Sequence, residues 1–194
     1  MGLVILVFGL AVLLAPHTLT AFRAARQGMV DRLGLGPYKA IYSLVSLAGI
    51  LLIAFGYGLD RSGGRIELWH PPIGLRHFGA FLVWPAVIMI MAAYVPGRIK
   101  VALKHPFLAG IKLWAAAHLI ANGDLASIVL FGTILGWAVF DRISLRHRTD
   151  AGGPQIPIGG LRKDAIAVAA GTVLYILLVR YFHPYVIGVA VFGR

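Results

Sequence analysis

The chain has 194 residues, 59% of them hydrophobic, a formal charge of +11 and no cysteine; its mean hydropathy is +0.85. These values exclude an ordinary soluble domain and indicate an integral membrane protein, and without cysteine there can be no disulfide, iron–sulfur cluster or thiolate ligand. The positive charge forms no basic stripe interleaved with aromatics, so nucleic acid is excluded as a partner; the charge reads instead as topology and contact with anionic lipid.

No polar stretch is long enough to make a soluble domain, so residues 1–194 read as one all-α, polytopic transmembrane bundle of about six helices. The first apolar run, Gly2–Phe22, has no basic side chain before it and is expected to be retained as a span rather than removed as a signal peptide. Pro16 should kink it. The next runs are Tyr38–Leu59 and His77–Val95, the latter with a kink expected at Pro85. Phe107–Ala121 and Leu125–Phe140 are short for a span of about 20 residues. Only Asn122-Gly123-Asp124 separates them, which predicts a tight helical hairpin, and the first of the two could borrow Val101, Ala102 and Leu103 to reach full length. Gly132 and Gly136 form a small-x-x-x-small pair that permits close helix approach. Thr149–Gly160 reads as a loop and Ala165–Phe182 as the last span. Trp69, Trp84, Tyr94 and Tyr181 are expected at the interfaces.

Lys and Arg orient this arrangement. Arg23, Arg26, Arg32, Lys39, Arg98, Lys100, Lys104, Arg142, Arg146, Arg148, Arg162 and Lys163 fall in the odd-numbered loops, against Arg61, Arg65 and Arg76 in the even ones. The positive-inside rule then puts the odd loops in the cytoplasm and both termini on the periplasmic side of a bacterial inner membrane. Lys112, inside the fourth span, is expected to snorkel toward the cytoplasmic interface.

Two histidines fall inside spans, where titratable groups rarely face lipid and are functional candidates by default. His17 follows Pro16 in the first run; it reads either as a ring bonded to a backbone carbonyl of a neighbouring helix or as a ligand. His118 shares one helical face with Trp114 and Asn122, each four residues away. An imidazole between an indole and an amide resembles a cofactor wall, with Asn122 orienting it or bonding a substrate; a polar strip joining two helices is the structural alternative. His105, before Pro106, is expected to cap the fourth span. His105 and His118 are about 140° apart around a helix, so one straight helix would not aim both at one ion. Asp124 is expected to cap the fifth span. Arg76-His77 could bind a carboxylate or propionate. His70, His147 and His183 fall near expected helix ends, where a solvated ring is the default. No phosphate loop, paired carboxylates or nucleophile constellation is visible.

The block Lys104-His105-Pro106-Phe107-Leu108-Ala109-Gly110-Ile111-Lys112-Leu113-Trp114-Ala115-Ala116-Ala117-His118-Leu119-Ile120-Ala121-Asn122-Gly123-Asp124-Leu125-Ala126 resembles the signature of the NnrU family. Tyr38–Ser46, Leu75-Arg76-His77 and Ala92–Gly97 agree with it in order and spacing, so the likeness covers nearly the whole chain. The resemblance implies a bacterial inner-membrane protein associated with denitrification and nitric oxide metabolism. The family is similar to plant 15-cis-zeta-carotene isomerase, a haem b membrane enzyme with two intramembrane histidine ligands. Carried over, those ligands fall on His17 and His118, making haem b the implied cofactor and both residues the implied metal ligands. The plant enzyme has a cysteine shortly before its second histidine. Ala115 occupies that neighbourhood here, so a thiolate switch and carotenoid isomerisation are not implied.

Under this topology His17 and His118 differ in depth by roughly 10–15 Å. Joining them on one haem requires a tilted axis, shifted helix boundaries or a kink at Pro16, and His105 is the reserve partner for His17. The competing readings are a non-catalytic accessory or transport factor, in which the histidines are helix contacts, and a small membrane methyltransferase suggested by His105-Pro106. The latter needs paired downstream Glu, and no Glu follows Glu67.

Overall fold

A computed structural model describes residues 1–148 and 156–192. Residues 149–155 of the expected 149–160 loop, and Arg194, lie outside the described residues. The chain is an all-α transmembrane bundle. Its elements are α1 (Gly2–Leu19), α2 (Arg23–Leu33), α3 (Leu35–Ser62), α4 (Ile73–Tyr94), α5 (Arg98–Leu103), α6 (Pro106–Ala121), α7 (Leu125–Ser144) with a 3-10 turn at Leu145–His147, and α8 (Leu161–Leu177), which continues as a π-helix over Leu178–Ile187. Five of these helical stretches are long and apolar enough to cross a membrane, and α6 is a shorter apolar helix of the same character. Large side chains such as Phe8, Leu44, Leu51, Phe55 and Phe81 point outward, as lipid contact requires.

The spans pack in the spatial order α3, α1, α7, α6, α4, α8. Small residues set the closest approaches. A Cβ on Gly9 would stand 2.7 Å from Ile53 N, and one on Gly49 would stand 2.6 Å from Leu13 N, so α1 and α3 touch backbone to backbone. Gly132 and Gly136 do not serve this purpose: among the described residues nothing lies within 4 Å of a Cβ at either position. Leu6, Leu10, Ala115, Ala126, Leu130 and Phe131 form the core between α1, α6 and α7.

Local chemistry explains where the helices differ from their expected bounds. α6 does not borrow Val101–Leu103. Those residues belong to α5, and Lys104 separates the two helices at φ 61°, a left-handed-region value that ends a helix. Asp164 replaces the missing intrahelical partners at the start of α5: its carboxylate accepts from Arg98 N and Ile99 N, both at 3.0 Å. Trp84 lies mid-way along α4 rather than at an interface, and its indole N–H donates to Thr172 of α8 at 2.9 Å. Tyr175 donates to Ala80 O at 3.0 Å across the same seam.

The two ends of the bundle are chemically distinct. α2, α5 and the Asp164 end of α8 gather at the Lys/Arg-rich end, where Arg148 pairs with Asp141 at 2.5 Å. At the other end the loop after α3 is stitched to the α6–α7 turn. Leu68 N donates to Gly123 O at 2.8 Å and Leu125 N to Ile66 O at 2.9 Å. Gly2 packs on Gly56 and Asp60, and Phe192 meets His77 with 5.7 Å between ring centres. Both ends of the described chain therefore lie away from the basic end.

Candidate functional site

His118 stands in the last turn of α6. Its Nδ1 is 2.8 Å from Trp114 O. A carbonyl oxygen only accepts, so Nδ1 carries the proton and Nε2 keeps its lone pair. The ring is walled by Trp114, 4.8 Å between centres, and by Phe131 of α7, 4.4 Å and near-parallel. A third neighbour is His183, with ring centres 6.3 Å apart and planes inclined by 22°. His183 repeats the same anchoring: its Nδ1 is 2.9 Å from Leu178 O, five residues back in the π-helical stretch. Sequence reasoning left His183 as a solvated ring near a helix end. The last helix runs to Ile187 rather than to Phe182, which draws His183 inside it. The available signal was His183-Pro184: a proline lacking N–H frees an upstream carbonyl and disturbs α-helical register.

His17 occupies a different neighbourhood. Its Nδ1 is 2.8 Å from Leu13 O, a carbonyl of its own helix and not of a neighbour. Its ring packs against Tyr42 of α3 at 5.0 Å and Trp137 of α7 at 5.6 Å. Buried there, Tyr38 Oη and Trp137 Nε1 have no hydrogen-bond partner among the described residues. Phe131, against His118, and Trp137, against His17, are six residues apart on α7, about 9 Å along its axis. The two implied ligands thus sit in separate layers and share no ring neighbour among these contacts.

The remaining sequence candidates are distributed as follows. Asn122 ends α6, and its amide donates to the main-chain oxygen of His118 at 2.9 Å, so it secures the helix end rather than the imidazole. His105 is the N-cap residue of α6 with Pro106 in the first turn, but its side chain makes no capping bond. It lies at the basic end, where burial lowers its pKa, Arg142 and Lys104 act in the same direction, and Asp141 opposes them. Arg76 and His77 are exposed in the first turns of α4, at the same end as His118 and His183.

A buried polar relay adjoins this end. Asp124 Oδ1 accepts from Ser127 N and Oδ2 from Ser127 Oγ, both at 2.8 Å, giving the expected cap of α7. With Ser127 Oγ donating to Asp124, the Tyr57 hydroxyl, 2.8 Å away, donates to Ser127. The Asp124 role was legible from sequence; the contribution of Tyr57, 70 positions from Ser127, was not. Among the described residues no group of three His, Asp or Glu side chains is placed to hold a metal ion.

A family model described as NnrU protein matches residues 5–191. No curated protein and no solved structure matches the chain.

Proposed function

Since the chain belongs to the NnrU family, we propose that it is a haem b-binding, redox-linked protein of the bacterial inner membrane, acting in nitric oxide and denitrification metabolism, with both termini periplasmic. The observation that carries this reading is the half-buried His118 imidazole. Trp114 and Phe131 wall the ring, its Nδ1–H is held by Trp114 O, and Nε2 is left as the ligating atom. That donor arrangement fits haem, because metal-ligating histidines commonly donate their other ring nitrogen to a carbonyl, which fixes tautomer and orientation. Bound haem would supply one-electron chemistry at a potential set by burial and axial ligands. The chain's own part is to orient His118, exclude water with the two aromatic faces, and offer Arg76 at the same end to a propionate. The Lys/Arg-rich end supports the cytoplasmic assignment of α2 and α5.

Pyridine haemochrome analysis of detergent-purified protein tests this. The expected result is about one haem b per chain, with sharp loss in His118→Ala because the imidazole that would hold the iron is removed. Haem-free native protein from haem-replete cells would favour the accessory-factor reading instead.

A further inference from the structure

We propose that the cleft between α5 and the start of α8 binds one anionic phospholipid, with an acyl chain along its apolar lining and the phosphate at Arg98. This is independent of the haem reading, since it concerns the end of the bundle away from His118 and rests on other residues.

The cleft is open on one side and encloses about 530 Å³. Arg98, Ile99, Val101 and Ala102 of α5 line it together with Leu161 and Asp164 of α8. Four of these six side chains are hydrocarbon, and Val101 and Leu161 are 58% and 67% exposed. α5 begins four residues past Tyr94, where the α4 span ends, and α8 starts at Leu161. The cleft therefore lies where headgroups meet acyl chains, and lipid rather than water covers such apolar side chains there. Packing behind the cleft fixes its walls. A Cβ on Gly97 would collide with the Asp164 carboxylate, and Gly159 N donates to Pro96 O at 2.9 Å. The backbone that carries Arg98 is thus pinned to the α8 side.

Charge selects the headgroup. Asp164 is the one acid in segments 98–104 and 161–164, against Arg98, Lys100, Lys104, Arg162 and Lys163. Its carboxylate is committed: Oδ2 accepts from Arg98 N and Oδ1 from Ile99 N. Those bonds also occupy the main-chain N–H groups that begin α5, so an anion in this cleft must be held by side chains. Arg98, Lys100, Arg162 and Lys163 form no ion pair among the described residues. A guanidinium offers two parallel N–H donors to a phosphate, and each further cation near the surface attracts anionic lipid. A free phosphate would gain nothing from Ile99, Val101, Ala102 and Leu161. A zwitterionic lipid would carry its ammonium into the same positive field. An anionic phospholipid satisfies both the hydrocarbon wall and the unpaired cations.

Native mass spectrometry of the full chain in detergent, titrated with phosphatidylglycerol or phosphatidylcholine, tests the site. One phosphatidylglycerol should be retained per chain at low lipid ratio, with phosphatidylcholine held more weakly. Arg98→Gln should weaken phosphatidylglycerol binding about fivefold, the effect of removing one cation near the surface, and Arg98→Lys should bind better than Arg98→Gln. Ala102→Trp, which fills the cleft at unchanged charge, should weaken binding as well. Both positions are exposed, so the substitutions disturb no core packing. Arg32→Gln, which removes a charge from α2 at the same end, should leave binding as it is. Excess inorganic phosphate, matched in ionic strength by chloride, should not displace the lipid. Equal loss in Arg32→Gln, full binding by Ala102→Trp, or equal retention of the two lipids would show attraction to net charge without a site and would overturn the proposal; displacement by phosphate would overturn the role given to the acyl chain.

Discussion

Gly123 lies so close beneath Trp69 that a Cβ on it would collide with the Trp69 carbonyl oxygen. This contact locks the α6–α7 turn under the loop that follows α3. Leu68 N and Trp69 N both donate to Gly123 O, at 2.8 and 3.2 Å. Gly123→Ala should therefore destabilise the protein by about 1–3 kcal/mol through overpacking against backbone. Thermal unfolding in detergent measures it; an unchanged midpoint would show that the seam yields.

Asp124 and Ser127 are 3% and 0% exposed, so their bonds have no water to replace them. Asp124→Ala should cost about 1–3 kcal/mol by leaving Ser127 unsatisfied. Asp124→Asn, which keeps one oxygen for Ser127 N, should cost less. Tyr57→Phe removes one member of the relay and should cost about 0.5–1.5 kcal/mol. Chemical denaturation of the three variants in one detergent checks the order.

Asp164 supplies both hydrogen bonds at the start of α5. Asp164→Ala should weaken that helix by about 1 kcal/mol, a change of about fivefold in local opening. Amide hydrogen exchange at Arg98 and Ile99 should quicken accordingly, while the centre of α7 stays protected. Equal acceleration in both places would mean that Asp164 holds the whole bundle.

His105 gives a pH signature at the basic end. Burial, reinforced by Arg142 and Lys104 and opposed by Asp141, holds its folded-state pKa below the ordinary 6.5. As pH falls, the unfolded chain takes up the proton first. His105 therefore costs no stability above about 6.5 and weakens folding as pH drops from there toward the folded-state value. His105→Gln should flatten the stability profile between about pH 8 and pH 5. A profile of the same slope would place the dependence on another group.

The architecture was legible because its signals are local. Six apolar runs, a three-residue turn and the Lys/Arg imbalance gave the bundle and the segregation of its ends; α2 and α5 were missed because short helices outside the spans carry no such length or hydropathy signal. The α7 cap was equally readable, since Asp124 and Ser127 are three residues apart. The site was only half readable. Trp114 and His118 share a helix face, so four-residue spacing found both.

Sequence by itself determined that this chain lives in lipid, which helices cross it, which loops share an end, and that His17 and His118 are unusual, because burial cost and helical period act on neighbouring residues. Only the tertiary structure decided which histidines meet. The meeting of His118 and His183 depends on the order in which α6, α4 and α8 pack and on the π-helical extension to Ile187. Those are contacts between residues 65 positions apart, set by close helix approach and by one proline's missing N–H, and no local pattern encodes them.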